Sequence, residues 1–127
     1  MNILLVEDDL FFQNFYSKKL LEQGFRVEVA GDGNEAMYKM KQNRPDLVLL
    51  DLIMPQKDGF EVLAEVSKYE NLKTIPIVVF STLGQTEDID KAKKLGAVDY
   101  VNKTFFDFDN LLAKVLSIAK NHSAPAE

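Results

Sequence analysis

At 127 residues the chain suits one domain with a full core, and 28% charged with 46% hydrophobic residues is ordinary globular composition. A net charge of −5 argues against binding nucleic acid or anionic membranes through charge, and the absence of cysteine excludes disulfides and thiolate metal sites. The apolar opening reaches Glu7 too soon for a signal peptide and no run approaches membrane-spanning length, so a cytoplasmic protein without membrane insertion is expected.

Strand and helix patterns alternate along the chain. Residues 3–6 form a short apolar strand that ends in Glu7, Asp8 and Asp9. From 10 to 23, Phe12, Phe15, Tyr16 and Leu20 recur at helical spacing, leaving Leu10, Phe11 and Leu21 outward, and Gly24 stops the helix. Residues 25–30 alternate, Val27 and Val29 against Arg26 and Glu28, as a half-exposed edge strand does. Gly31, Asp32 and Gly33 read as a turn, with Asn34 capping a helix to about Gln42.

Pro45 opens the central strand. Leu47 to Leu50 is an unbroken aliphatic run, which suits a strand buried on both faces, and Asp51 closes it. A helix is predicted over 59–69, with Phe60, Val62, Leu63 and Val66 on one stripe, and a buried strand over 76–80 that stops at Ser81 and Thr82. Another helix covers 86–95, a fifth strand 98–102, and a last helix opens at Asp107 through Leu111, Leu112, Val115 and Leu116. Residues 1–120 thus make one domain, and 121–127 a polar, frayed tail.

Repeated βα units with short links imply an α/β fold, a doubly wound five-stranded parallel sheet with helices on both faces, of the flavodoxin-like kind. The order 2-1-3-4-5 follows, because strand 2 alone alternates like an edge. The switch point then lies between strands 1 and 3, where Glu7 and Asp8 would face Asp51. Two like charges 4 Å apart cost ~4 kcal/mol at an effective dielectric of 20, so such a cluster calls for a cation. Oxygen ligands without a nearby histidine point to Mg²⁺. Ser81 and Lys103, ending strands 4 and 5, would add a hydroxyl and an ammonium at the same sheet edge, which together suit a phosphoryl group.

These motifs in this order resemble a response-regulator receiver domain over residues 2 to about 120: Leu5-Val6-Glu7-Asp8-Asp9, Asp51-Leu52-Ile53-Met54-Pro55 with Asp58-Gly59, Ser81-Thr82, and Gly96 through Lys103. The resemblance implies that Asp51 accepts phosphoryl from a phosphohistidine of a sensor kinase or phosphotransfer protein. It implies Mg²⁺ held by Asp8, Asp51, the backbone carbonyl of Ile53, and Glu7 through water. Ser81 and Lys103 would bind phosphoryl oxygens, and Tyr100 would be the switch aromatic that turns inward with Ser81. The surface around strand 5 would then control a downstream protein target.

Some positions depart from the family pattern. Thr104 stands where a cis-linked proline is usual; a cis bond before a non-proline costs ~3 kcal/mol, so a trans bond is expected. Thr82 is bulkier than usual and would narrow access to Asp51, while Ile53 and Leu83 would shield the acyl phosphate from water. The aromatics of the first helix and Phe105, Phe106 and Phe108 are more often core filler than binding surface; the resemblance implies kinase docking through the first helix and the loop after strand 5, and a contiguous apolar patch there would mark that face or a homodimer contact. An aspartyl phosphatase would want an acid at Ile53, and the single histidine, His122, leaves no Ser-His pair in the body of the chain. The remaining rival is a receiver-like interaction module that works without phosphorylation.

Overall fold

A computed structural model describes residues 1–82, 85–103 and 108–122. Its elements in chain order are β1 (Asn2–Val6), α1 (Leu10–Glu22), β2 (Arg26–Ala30), α2 (Gly33–Gln42), β3 (Leu47–Leu50), α3 (Gly59–Val66), β4 (Ile77–Ser81), α4 (Thr86–Lys94), β5 (Asp99–Asn102) and α5 (Phe108–His122). All strand pairs are parallel and the order is β2-β1-β3-β4-β5, as the alternation of the second strand predicts.

Successive side chains of a strand point to opposite faces, so each buried strand feeds two cores. Leu4, Val6, Val48, Leu50 and Val79 meet Ala36, Met37, Met40, Val62, Leu63 and Val66 from α2 and α3. Ile3, Leu5, Leu47, Leu49, Val78 and Phe80 meet Tyr16 and Leu20 of α1 and Leu111, Val115 and Ile118 of α5. Each fully buried aliphatic side chain contributes roughly 1.5–3 kcal/mol, which explains why β3 carries four in succession. Leu10, Phe11 and Leu21 remain exposed on α1.

Three local expectations are corrected. Residues 31–33 do not form a turn capped by Asn34: Asp32 is the N-cap, its carboxylate accepting from the Glu35 N–H, and the helix starts at Gly33. Gly33 is there for closeness, since a Cβ would stand 2.3 Å from the Lys57 carbonyl oxygen. The helix predicted to reach Tyr69 ends at Val66, where the Ser67 hydroxyl folds back onto the Ala64 carbonyl. The last helix runs through His122, two residues past the expected boundary, and its predicted start at Asp107 lies outside the described residues.

Candidate functional site

Strand register builds the site. Val6 pairs with Leu50, so the residues that follow, Glu7 and Asp51, leave the sheet side by side. Ser81 pairs with Asn102, which delivers Lys103 beside Ser81. The backbone N–H of Asp51 still donates to the Val6 carbonyl at 3.0 Å, fixing its side chain at the mouth of the β1–β3 switch point. Gly59 keeps the returning loop close, since a Cβ there would lie 2.5 Å from the Asp51 carbonyl oxygen and 2.7 Å from the Leu52 Cα.

Glu7, Asp51, Ser81 and Lys103 are all buried, at 1%, 3%, 0% and 4% exposure, which is unusual for charged groups unless they are paired. They are paired with one another. The Lys103 ammonium donates to Glu7 Oε1, and to Asp51 Oδ2 at 3.2 Å. Asp51 Oδ1 accepts from the Ile53 N–H at 3.3 Å, and the Ser81 side chain is also hydrogen-bonded to this carboxylate. Glu7 Oε2 accepts from the Asp9 N–H at 3.0 Å, while Asp9 caps α1 by accepting from the Phe11 and Phe12 N–H groups. Asp8 stands exposed at the rim.

Burial pushes the Glu7 carboxyl up to about 7, against the pull of Lys103 and the Asp9 N–H, with Asp51 adding to the rise. Burial likewise raises Asp51 above the usual carboxylate range, opposed first by the charge of Lys103. The Tyr100 hydroxyl is pushed up to about 12 by burial and by Asp88, opposed by its hydrogen bond with Ser81. Ser81 therefore links Tyr100 to Asp51.

One oxygen from each of Glu7, Asp8 and Asp51 lies within 4.8 Å of the others. Three carboxylates face one ammonium, a net negative pocket of hard oxygen donors that fits a divalent cation such as Mg²⁺. A pH dependence follows from Glu7. Its folded-state pKa lies above the ordinary 4.5, so the folded protein binds the proton more tightly than the unfolded chain does. In metal-free buffer this contribution to stability is full below pH 4.5 and lost as pH rises through about 7, a fall that thermal melts in EDTA should record.

Glu7, Asp8, Asp51, Ser81 and Lys103 converge here, with Tyr100 joined through Ser81; the Ile53 N–H donates to Asp51, and its side chain is half-exposed. Leu83 and Thr104 to Asp107 lie outside the described residues, and Thr82 is exposed. Helical spacing places Phe12 on the inner stripe of α1. Its ring also lies under the Lys103 ammonium, 4.4 Å from the centroid, with Phe80 at 5.2 Å. Helical periodicity gives no signal for this, because the partner is 91 residues away.

A family model for the response regulator receiver domain matches residues 3–116. The chain belongs to the response-regulator receiver family. This receiver domain is 36% identical over 104 residues to the chemotaxis protein CheY of Halobacterium salinarum, covering 81% of the chain and 84% of that protein. It is 36% identical over 126 residues to the transcriptional regulatory protein CpxR homolog of Haemophilus influenzae, covering 98% of the chain and 52% of the relative. The chain spans about half the length of several curated relatives that it matches. Among solved structures, the receiver domain of the Francisella response regulator 1452 superposes with a TM-score of 0.87 at 31% identity, covering 94% of this chain and 97% of that one. Receiver domains are signalling switches of two-component systems and not metabolic enzymes.

Proposed function

We propose that Asp51 is the phosphoryl acceptor of this receiver domain and that its acyl phosphate switches the surface around β5. An Asp51 carboxylate oxygen attacks the phosphorus of a phosphohistidine on a sensor kinase or phosphotransfer protein. The Asp51 O–P bond forms as the P–N bond breaks, the imidazole leaves with the bonding pair, and water later cleaves the acyl phosphate, releasing inorganic phosphate and returning the carboxylate. No outside metabolite is turned over. The observation that carries this reading is a buried carboxylate held by Lys103 and Ser81 at a sheet switch point beside two further acids.

Asp8 and Asp51, with the Ile53 carbonyl and Glu7 through water, would hold Mg²⁺, which supplies positive charge for the transferring oxygens. Lys103 already faces Asp51 and would turn its remaining N–H donor to the phosphoryl group. Ser81 exchanges its bond to the carboxylate for one to a phosphoryl oxygen. Tyr100, hydrogen-bonded to Ser81 and packed against the α2–α4 side of the core, follows that exchange and carries it to the surface. Exposed Leu10 and Phe11 at the start of α1 border the site and suit docking of the kinase.

No helix among the described residues is long and apolar enough to cross a membrane. Incubation with acetyl phosphate tests the reading. We expect an acyl phosphate labile to hydroxylamine that forms with Mg²⁺ and is abolished by EDTA. A protein that stays unmodified with Mg²⁺ present would instead be a phosphorylation-independent interaction module.

A further inference from the structure

Lys103 is held by more than its two carboxylates. Its ammonium lies 4.4 Å from the centroid of Phe12 on α1 and 5.2 Å from that of Phe80 on β4. Phe12 stacks on Tyr16 at 6.1 Å, and Tyr16 meets Phe80 edge-on at 5.0 Å, so the three rings form one continuous wall. Tyr16 and Phe80 are fully buried in the α1–α5 core, which makes that wall rigid.

A lysine side chain is a flexible stem with a compact charge, and something must fix its end. The following residue is Thr104, so no proline ring restricts the backbone at Lys103. A carboxylate could hold the ammonium, yet it would neutralise the charge that a phosphoryl oxygen needs. A ring face attracts a cation through its quadrupole and leaves the N–H donors free for an anion. Glu7 and Asp51 supply the first kind of contact, and Phe12 supplies the second.

We propose that Phe12 is a positioning residue: its ring face seats the Lys103 ammonium so that the charge stays aimed at Asp51 when the carboxylate takes up phosphate. This rests on the phosphoryl-transfer reading and deepens it. The other ring facing the ammonium, Phe80, is a core residue of β4, whereas Phe12 is only partly buried and can be altered with less damage.

The test compares Phe12→Leu, Phe12→Tyr, and mono- and trifluorinated phenylalanine at position 12, which weaken the ring quadrupole with little change in shape. Labelling by acetyl phosphate with Mg²⁺ should slow about tenfold in Phe12→Leu, the scale of a desolvated cation–π contact. Phe12→Tyr should restore the rate, and the fluorinated proteins should fall in order between wild type and leucine. Equal rates across the fluorinated series would overturn the proposal, whatever Phe12→Leu does, because they would leave only a packing role. If Phe12→Leu fails to fold, that series carries the decision. A wild-type protein that takes no label sinks the phosphoryl-transfer reading itself. The Lys103 ε-methylene protons then decide the seat alone: shifted upfield by the ring in wild type and relaxed by Phe12→Leu if it exists, unchanged by the substitution if it does not.

Discussion

Asp51→Asn is expected to abolish phosphoryl labelling and, in the same protein, to raise the melting temperature in metal-free buffer. The loss is complete because an amide is a poor nucleophile and none of the neighbouring acids can replace it. Glu7 is already committed to Lys103 and the Asp9 N–H, and Asp8 stands at the rim. The gain in stability has a separate origin. Burial disfavours the ionised form of Asp51: the unfolded chain exposes that carboxylate to water, whereas the folded state strips water from it. An asparagine keeps one acceptor for the Ile53 N–H and turns Oδ2, the acceptor of the Lys103 ammonium, into a donor, so that one contact is given up. Lys103 retains Glu7. Replacing a buried ionised group in this way moves stability by about 1 kcal/mol or more, a few degrees in a domain of this size. Thermal melts with EDTA and with Mg²⁺ would separate the two effects: the variant should melt higher without metal and gain little from it. A variant that melts lower in EDTA would mean that Lys103 more than offsets the burial of Asp51.

Both halves of that expectation depend on where the sequence was legible and where it was not. The four aliphatic residues of β3 and the alternation of β2 report burial directly, because a strand inside a parallel sheet needs apolar groups on both faces. Strand order then follows, and with it the convergence of Glu7, Asp8, Asp51, Ser81 and Lys103, since each ends or follows a strand. The sequence gives less about how those groups divide the work. Glu7 and Asp8 are adjacent acids, yet one is buried against Lys103 and the other exposed, because alternation along an emerging strand sends neighbours in opposite directions. Gly33 reads as a turn glycine in the sequence, and only the approach of Lys57 from a distant loop reveals that a backbone contact excludes a side chain there. The ring of Phe12 fits a helical stripe and also seats a cation, and the second use is a tertiary fact. Periodicity reads the face an element buries; it does not read which atoms meet across that face.

The sharpest consequence of the geometry concerns Lys103, the cation that the described residues place inside the cluster. In metal-free buffer at neutral pH, Lys103→Met should lower stability by about 3–5 kcal/mol, the usual result of removing one partner from a buried ion pair. Methionine retains most of the apolar stem, so packing against Phe12 and Phe80 changes little and the lost charge dominates. Glu7 and Asp51 then face each other with no counterion, each already disfavoured by burial as an anion. Their proton affinity must rise further, so the folded state recovers stability on acidification: the deficit is largest above pH 7 and shrinks toward pH 5. Mg²⁺ should restore part of it, because the remaining acids form a more negative site for the ion. Labelling should nevertheless stay about a hundredfold slower with saturating Mg²⁺, since a fixed donor to the transferring oxygens is gone. Urea unfolding at two pH values, with and without Mg²⁺, reads all three effects. If stability were unchanged at neutral pH, the buried pairing of Lys103 with Glu7 and Asp51 could not be what holds these carboxylates inside the protein.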